Sequence, residues 1–474
     1  MHKNTLRILI LITSILFFAS CSEDDTFSVS QSDRVTFSAD TISFDTVFTA
    51  IGSSTKTFTV HNDGSHAITL QSIRLSSGGS SGFRINVDGQ YGTSFADIDI
   101  YRNDSIMVFV EVTAKQQESD TPVLITDSII FTLENGVREQ VILQASGQDV
   151  TVLRNMHISS DTTLSNRRPY LIYDSLVVDK GVTLTIQEGT TLCFHSKAQM
   201  LVHGQLVCNG TEQKPIVFRG DRTDRMFSYL PYDRLDDQWG GIHLFSEGGT
   251  SVFSYCDIHS GNYGIKADIS GVYFSKVIID NSVIHNVAGD GLSLTYCSSE
   301  IANTQISNTR GHCVNIVGGR ATFTACTIAQ FCPWVGDRGH ALNFCNILND
   351  TIYPLDTLVF QSCVITGYAN DEVYGQKLET DTVSFGYAFF NSLVNTDSAA
   401  VDMTRFSSCV FDTDTATYHE KNFRTIDTDN YIYDFRLDSI SPARASGKYF
   451  RQYPADRNGN IRPSESPDAG CYQY

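Results

Sequence analysis

Apolar residues recur in a fixed pattern along the C-terminal part of the chain. Six segments share an apolar residue, two variable positions, a Cys, Ser or Thr, one variable position and a second apolar residue. The segments begin at Phe253, Ile279, Ile301, Phe323, Phe360 and Phe406. Their starts step by 26, 22, 22, 37 and 46 positions. A period near 22 residues, with the excess lengths as inserted loops, predicts a solenoid.

A second apolar pair follows each of the first four segments. The pairs are Ile265 and Ala267, Leu292 and Leu294, Val314 and Ile316, and Leu342 and Phe344. Two alternating strands within one period exclude a helical repeat, so we predict a right-handed parallel β-helix with coils about 4.8 Å apart. Ile284, Ile306 and Ile328 should then form one interior column. The Cys/Ser/Thr position should form a column of small buried side chains.

Residues 35–150 alternate apolar and polar positions in shorter runs. The runs at 57–60 and 106–112 are bounded by turn sequences such as His-Asn-Asp-Gly at 61–64. This spacing predicts an antiparallel β-sandwich, and with it an all-β chain. Ile-Ser-Phe-Asp at 42–45 and Phe-Thr-Val-His-Asn at 58–62 resemble the immunoglobulin-like domains of the major-sperm-protein and Hydin type. The resemblance implies a spacer or protein-contact module without chemistry.

The first 34 residues carry a targeting signal. An apolar stretch after Lys3 and Arg7, too short to cross a bilayer, predicts a signal peptide over 1–20. Phe-Ala-Ser before Cys21 resembles the bacterial lipobox, which implies lipid on that cysteine; an ordinary cleaved signal is the alternative. The acidic tether over 21–34 begins like the export signal of Bacteroidetes surface lipoproteins. We therefore expect an outer-membrane protein facing the cell exterior, with the periplasmic face as the alternative.

Three further sequence features carry a family resemblance for residues 151–474. They are the repeats at 176–186 and 206–218, the Trp-Gly-Gly-Ile turn at 239–242, and the closing segment from Ser441 to Gly470. Together they resemble right-handed β-helix proteins of the pectate-lyase-like superfamily, a pattern specific for fold and not for activity. Asp456, Asn458 and Asn460 resemble a calcium loop that lacks its glycine and glutamate, so we expect a polar end cap there.

Charge and cysteine content exclude several classes of partner and cofactor. The formal net charge is −19, and removal of residues 1–20 leaves 32 basic against 53 acidic residues, or −21. This charge opposes nucleic acid as a partner. Eleven cysteines besides Cys21, with no C-x-x-C pair, predict buried thiols rather than a disulfide framework. His312, Cys313, His340 and Cys345 match no zinc spacing, so neither a metal nor another cofactor is expected.

One repeated motif supplies the candidate site. Arg-Gly-His-x-x-Asn at 310–315 recurs at 338–343, an interval of one coil plus a six-residue insert. Equivalent residues should lie about 5 Å apart, where two arginines repel by roughly 3 kcal/mol. Asp290, Asp337 or an anionic ligand must offset that repulsion. The alternative interpretation is that the motif residues lie in turns, where they are solvated and paired with the aspartates. The insert carries Trp334, a ring that suits a uronate or sulfated sugar. The predicted ligand-binding residues are Arg310, His312, Asn315, Trp334, Arg338, His340, Asn343 and Asp290.

These features favour a surface lipoprotein whose β-helix binds or scaffolds an acidic polysaccharide, or a protein, without catalysis. No catalytic residue is assigned, because the clustered aspartates of polysaccharide hydrolases and the acidic calcium sites of lyases are missing from the sequence. The first alternative is a lyase or hydrolase acting on uronate-containing polysaccharide, with His312 or His340 as base and Arg310 or Arg338 as charge neutraliser. The second alternative is a purely structural outer-membrane component.

Overall fold

The computed structural model describes residues 26–333, 335–378, 383–412, 416–417 and 419–474. The signal peptide, Cys21 and Trp334 lie outside the described residues. The chain divides into two compact units after Gln148. Within the described part, no helix combines the length and the hydropathy needed to cross a bilayer.

The N-terminal unit is a two-sheet β-sandwich. Its strands are β1 (Thr36–Phe37), β2 (Thr41–Phe48), β3 (Lys56–Asn62), β4 (Ile68–Leu75), β5 (Phe83–Val87), β6 (Gln90–Gly92), β7 (Ser94–Ile100), β8 (Asp104–Val112), β9 (Val123–Leu133) and β10 (Arg138–Gln148). One sheet has the order β1-β3-β8-β5-β6 and the other β2-β10-β9-β4-β7. Alternate residues such as Val108 and Val110 are fully buried between the sheets, which is why the sequence alternates.

The C-terminal unit contains the remaining strands and three short 3-10 helices. The helices are Tyr232–Arg234, Met403–Arg405 and Glu420–Asn422. The strands are β11 (Thr151–Ile158), β12 (Thr162–Leu164), β13 (Tyr170–Val178), β14 (Thr183–Gln187), β15 (Thr191–Phe194), β16 (Gln199–Val202), β17 (Gln205–Asn209), β18 (Ile216–Gly220), β19 (Arg225–Phe227), β20 (Leu230–Pro231), β21 (Ile242–Leu244), β22 (Ser251–Ser254), β23 (Cys256–His259), β24 (Ile265–Ala267), β25 (Gly271–Asp280), β26 (Val283–Val287), β27 (Leu292–Thr295), β28 (Cys297–Ala302), β29 (Gln305–Thr309), β30 (Val314–Val317), β31 (Gly319–Thr324), β32 (Thr327–Gln330), β33 (Leu342–Cys345), β34 (Ile347–Leu348), β35 (Thr351–Ile352), β36 (Leu355–Gln361), β37 (Val364–Gly367), β38 (Val373–Gln376), β39 (Phe385–Phe390), β40 (Leu393–Val394), β41 (Phe406–Ser407), β42 (Val410–Phe411), β43 (Phe423–Asp427) and β44 (Ile432–Leu437).

These strands form the predicted parallel β-helix, for which the rule for parallel crossovers predicts a right-handed coil. Row A is a ten-stranded parallel sheet, β12-β14-β17-β22-β25-β28-β31-β36-β39-β41. The eighteen-stranded sheet consists of two rows that diverge from β13. Row B runs β15-β18-β23-β26-β29-β32-β37-β40-β42, and row C runs β16-β21-β24-β27-β30-β33-β38. Each full coil therefore contributes one strand to each row.

The predicted interior columns are confirmed. Ile284 pairs in register with Ile306, Ile306 pairs with Ile328, and all three side chains are fully buried. In row A the first residues of the repeated segments also lie in one column. Four consecutive members of this column are phenylalanines whose rings stack: Phe323, Phe360, Phe389 and Phe406. Their successive ring centroids are 4.7, 5.0 and 4.7 Å apart.

Small side chains occupy a neighbouring interior column, as the Cys/Ser/Thr pattern predicts. The Ser282 hydroxyl accepts a hydrogen bond from the Cys256 amide at 2.9 Å, and the Thr304 hydroxyl accepts one from the Ser282 amide at 3.4 Å. The eleven cysteines after Cys21 keep their thiols, and all except Cys345 and Cys409 are buried. Thiols that are small and apolar suit a column with no room for larger side chains.

The long interval before Phe406 was expected to be one coil with an inserted loop, and that expectation is wrong. Phe389 pairs with Phe360 on one side and with Phe406 on the other. The interval therefore contains a complete extra coil. Its sequence, Phe389 to Val394 with Ser392 at the small position, follows the repeat pattern.

The closing segment does not cap an end of the solenoid; it lies along the flank of several coils. The Gly470 amide donates to the Ser362 carbonyl at 2.7 Å, and the Cys471 amide donates to the Thr327 hydroxyl at 3.0 Å. Asp456 accepts hydrogen bonds from the amides of Asn458 and Asn460 at 2.9 and 2.7 Å. Its carboxylate therefore stabilises a turn in this flanking segment.

Candidate functional site

The repeated Arg-Gly-His-x-x-Asn motif lies where two successive coils turn into row C. In each copy a glycine precedes the histidine and the strand begins two residues after it, at β30 and β33. A Cβ on Gly339 would collide with the Gly311 backbone. Glycine is therefore required here because the two turns lie directly against each other, and the close approach brings the two histidines into contact.

His312, His340 and Tyr374 form a stack of three rings, which we call the ring stack. The His312 and His340 centroids are 5.9 Å apart with planes 11° from parallel. The His340 and Tyr374 centroids are 5.2 Å apart at 17°. The two imidazoles are half-buried and Tyr374 is 44 % exposed. The repeated motif predicted both histidines here, whereas Tyr374 lies outside that motif.

Hydrogen bonds fix complementary tautomers in the two imidazoles. The His340 amide donates to Nδ1 of His312 at 3.0 Å, so His312 carries its proton on Nε2. Nδ1 of His340 lies 3.2 Å from the Asp371 carbonyl, which can only accept, so His340 is protonated on Nδ1. Burial also lowers the pKa of His312. The ring stack therefore offers a donor, His312 Nε2–H, beside Nε2 of His340, which accepts a hydrogen bond when that nitrogen carries no proton.

A chain of amide hydrogen bonds runs beside the ring stack. Asn343 Nδ2 donates to Asn315 Oδ1 at 2.8 Å, and Asn315 Nδ2 donates to Asp290 Oδ2 at 2.7 Å. The other Asp290 oxygen accepts the His312 amide at 2.9 Å. The structure thus brings together five of the predicted residues, Asp290, His312, Asn315, His340 and Asn343, on three successive coils.

The two arginines of the motif have different surroundings, and Asp290, one of the three groups expected to offset their charges, is hydrogen-bonded elsewhere. Arg310 donates from Nε and from an NH2 nitrogen to the two oxygens of Asp236, which belongs to the insert over 221–238. Asp290 is engaged instead by the His312 amide and Asn315, as described above. This pairing was not expected, because Asp236 is 74 residues from Arg310 in sequence and no repeat relates the two.

Arg338 lies at a cavity of about 670 Å³ whose lining includes Tyr368, Glu420 and Asp429. Its guanidinium carbon lies 5.0 Å from the Tyr368 ring centroid. Its Nε is buried and has no hydrogen-bond partner among the described residues. Glu372 is a buried carboxyl group near Arg338. Its burial raises its pKa to about 7, although two backbone amides donate hydrogen bonds to the carboxylate and so act to lower that pKa.

A second cluster of titratable side chains lies on two earlier coils of row B, and the sequence reasoning missed it. Asp257 Oδ1 lies 2.9 Å from His259 Nδ1 and 3.1 Å from His285 Nε2. Burial raises the pKa of Asp257, but the two imidazoles override this and hold that pKa well below its usual range. Burial lowers the pKa of His259, but Asp257 and Asp233 together raise it to about 9.

The sequence contains a signal for this second cluster. His259 and His285 are 26 residues apart, the same step that separates the repeats beginning at Phe253 and Ile279. Histidines at equivalent positions of adjacent repeats must stack, and their rings lie 4.9 Å apart.

The region that contains this second cluster matches a known family. Residues 156–288 match the model of the pectate-lyase like beta helix domain. The chain carries a pectate-lyase-like β-helix domain. The Asp257 cluster falls inside the matched range, whereas the ring stack lies C-terminal to it. No curated protein matches the chain.

Several solved structures show partial likeness to the chain. The Vibrio cholerae VesB protease is 18 % identical with a TM-score of 0.17, over 24 % of this chain and 31 % of that one. A family 123 glycoside hydrolase from Clostridium perfringens is 8 % identical with a TM-score of 0.17, over 24 % of this chain and 25 % of that one. The ASH / PapD-like domain of human CEP192 is 13 % identical with a TM-score of 0.17, over 28 % of this chain and 94 % of that domain. The chain thus spans less than a third of the first two, and these likenesses assign it no activity.

Proposed function

We propose that this chain is a lipid-anchored surface protein whose β-helix binds a polysaccharide without cleaving it. The observation that carries the proposal is the ring stack. In it the planar side chains of His312, His340 and Tyr374 repeat along the solenoid, with successive ring centroids 5.9 and 5.2 Å apart. A surface that repeats along one axis suits a ligand that repeats along the same axis. Rigid aromatic groups with polar edges also supply contact area at low cost in conformational entropy.

The hydrogen-bonding pattern of the ring stack suits sugar hydroxyls. A hydroxyl group both donates and accepts, and His312 Nε2–H and His340 Nε2 offer one donor and one acceptor side by side. The amide chain of Asn315 and Asn343 extends the polar surface on the same coils.

The proposal that the polysaccharide is acidic rests on Arg338. Arg310 is engaged with Asp236, whereas Arg338 keeps a buried Nε without a partner among the described residues. Because Glu420 and Asp429 also line the cavity, a ligand with dense negative charge would be repelled. We therefore favour a polysaccharide with spaced carboxylates, one of which reaches the Arg338 guanidinium.

The remaining parts of the proposal concern the anchor and the sandwich. Lipid on Cys21 holds the chain on the outer membrane, facing the cell exterior, and the immunoglobulin-like sandwich over 35–150 acts as the spacer. Protease treatment of intact cells tests the orientation: a surface protein is cleaved before lysis. Replacement of Cys21 by Ser should release the chain from the membrane fraction.

A glycan array of acidic and neutral polysaccharides tests the binding function. We expect the wild-type chain to bind, and His340→Ala and Tyr374→Ala each to lower the affinity at least tenfold. The control is Tyr273→Ala, which should leave the affinity unchanged because Tyr273 lies elsewhere on the β-helix and is 98 % exposed. Substitution Arg338→Ala should weaken binding to acidic glycans only. Reducing-end and unsaturated-product assays run on the same ligands should show no turnover; turnover abolished by His340→Ala would establish the lyase or hydrolase instead.

A further inference from the structure

We infer that the β-helix holds one divalent transition-metal ion of the zinc class, bound by Asp257, His259 and His285. One ligand atom of each residue lies within 4.8 Å of the others. Across the described residues, this is the single group of three His, Cys, Asp or Glu side chains that meets that condition. The site is separate from the ring stack, and the inference does not depend on the proposed function.

The two spacings from the Asp257 carboxylate to the imidazoles are a few tenths of an ångström shorter than those of a tetrahedral site. Asp257 Oδ1 is 2.9 Å from His259 Nδ1 and 3.1 Å from His285 Nε2. Zinc binds imidazole nitrogen and carboxylate oxygen at about 2.0–2.1 Å, which places neighbouring ligand atoms about 3.4 Å apart in a tetrahedron. Small side-chain rotations that lengthen these two spacings by a few tenths of an ångström admit the ion, which takes the place of the imidazole protons that now bridge to Asp257.

The backbone holds the three ligands rigidly. Asp257 and His259 lie on β23, and His285 pairs in register with His259 on β26. The Trp239 indole donates to the His259 carbonyl at 2.8 Å, and Trp239 itself is buried against Phe194. Ligands on adjacent strands of a parallel sheet keep their separation without help from a loop.

An outer carboxylate faces the second nitrogen of the most buried ligand. His259 is 7 % exposed, and its Nε2 lies 3.5 Å from Asp233 Oδ1 without a well-aligned hydrogen bond. Arg219 forms an ion pair with the same Asp233 carboxylate. Metal-bound histidines commonly donate their other N–H to such a carboxylate, which fixes the tautomer and raises the affinity for the metal. Asp233 fits this role once metal binding through Nδ1 places the proton on Nε2.

The site opens onto a cavity of about 340 Å³, whose lining includes Asp257, His285, Ser307 and Tyr433. Three protein ligands with an open fourth position are typical of zinc sites that bind water or an exogenous oxygen ligand, whereas purely structural sites are closed by four protein ligands. We therefore assign the fourth position to a water or to a ligand oxygen that enters from this cavity.

Metal titration of the purified full-length chain tests the inference. Calorimetric titration of the metal-stripped protein with zinc chloride should give one ion per chain. His285→Ala and Asp257→Asn should lower the affinity at least tenfold, and Asp233→Asn should lower it by about 10–100-fold. The matched control is His243→Ala: His243 pairs with the single carboxylate of Asp268 at 2.9 Å and belongs to no three-ligand group among the described residues. That variant should bind zinc like the wild type.

Cobalt(II) spectroscopy identifies the type of side chain that binds the metal. A cobalt-loaded wild-type chain should show the visible bands of tetrahedral nitrogen and oxygen coordination. An intense sulfur-to-cobalt charge-transfer band would place the metal on the cysteines and overturn the inference. In the zinc titration, the inference would be overturned if the wild-type chain bound no zinc, or if His285→Ala bound zinc as tightly as the wild type. Circular dichroism checks that each variant is folded; the His285 side chain is 25 % exposed, so His285→Ala remains the deciding variant if Asp257→Asn does not fold.

Discussion

The His340 amide donates a hydrogen bond to Nδ1 of His312 across 3.0 Å, so the backbone of one coil sets the tautomer of a side chain on the previous coil. Stacking of coils thereby determines both the position and the protonation pattern of the candidate site. The same stacking places His340 Nδ1 against a backbone carbonyl, which fixes a proton on that nitrogen.

These tautomers can be measured. In the chain labelled with 15N at histidine, we expect the His312 ring to be protonated at Nε2 and the His340 ring at Nδ1 near pH 7.5, because each Nδ1 is fixed by its backbone partner. Single histidine substitutions assign the resonances. A shared tautomer for both rings, or a charged His312 at that pH, would contradict the hydrogen-bond assignment.

Burial of Glu372 should make stability depend on pH. Its pKa is raised from 4.5 to about 7, so between these values the unfolded chain loses a proton that the folded chain keeps. Stability is therefore fully present below pH 4.5, falls as the pH rises toward 7, and levels off above it, with a total loss of roughly 3 kcal/mol at 1.36 kcal/mol per pKa unit.

Denaturant unfolding at several pH values checks the Glu372 prediction. Glu372→Gln should remove this part of the pH dependence, although loss of one hydrogen-bond acceptor lowers its stability at every pH. Glu465→Gln, at an exposed position, should retain the wild-type dependence. Parallel curves for the wild type and Glu372→Gln would show that burial does not shift this carboxyl group.

The interior isoleucine column should dominate the stability of the β-helix. Ile306 is fully buried between Ile284 and Ile328, so Ile306→Ala leaves a cavity and should cost about 2–5 kcal/mol of the free energy of unfolding. Tyr273→Ala, on the exposed surface, should change it by at most about 0.5 kcal/mol. Equal effects of the two substitutions in a denaturant titration would be incompatible with the column.

The thiols should resist modification until the chain unfolds. Burial raises the pKa of Cys193 to about 12 and that of Cys297 to about 11, and a protonated buried thiol is a poor nucleophile. Of the eleven cysteines after Cys21, a thiol reagent should react in the native chain with the half-buried Cys345 and Cys409 alone, and with all eleven after denaturation. Rapid reaction of more than two of these eleven thiols in the native chain would contradict the burial of the other nine.

The repeat period predicted most of the β-helix because each coil must place an apolar residue over the one below. It failed at Phe389, where a 46-residue interval was interpreted as a loop although it contained another copy of the pattern. The contacts of Asp236 with Arg310 and of Tyr374 with His340 could not be predicted, because neither Asp236 nor Tyr374 belongs to the repeated motif that identified the site. The Asp257 cluster was predictable in principle, since His259 and His285 occupy equivalent repeat positions.

The affinity of the chain for polysaccharide fragments of increasing length tests the central claim most directly. Calorimetry with the best array ligand should show affinity rising with length until the fragment spans the three coils of the ring stack. The double variant His340→Ala/Tyr374→Ala should bind the longest fragment at least tenfold more weakly, a loss of about 1.4 kcal/mol. Length-independent affinity that is unchanged in the double variant would show that the ring stack is not the binding surface.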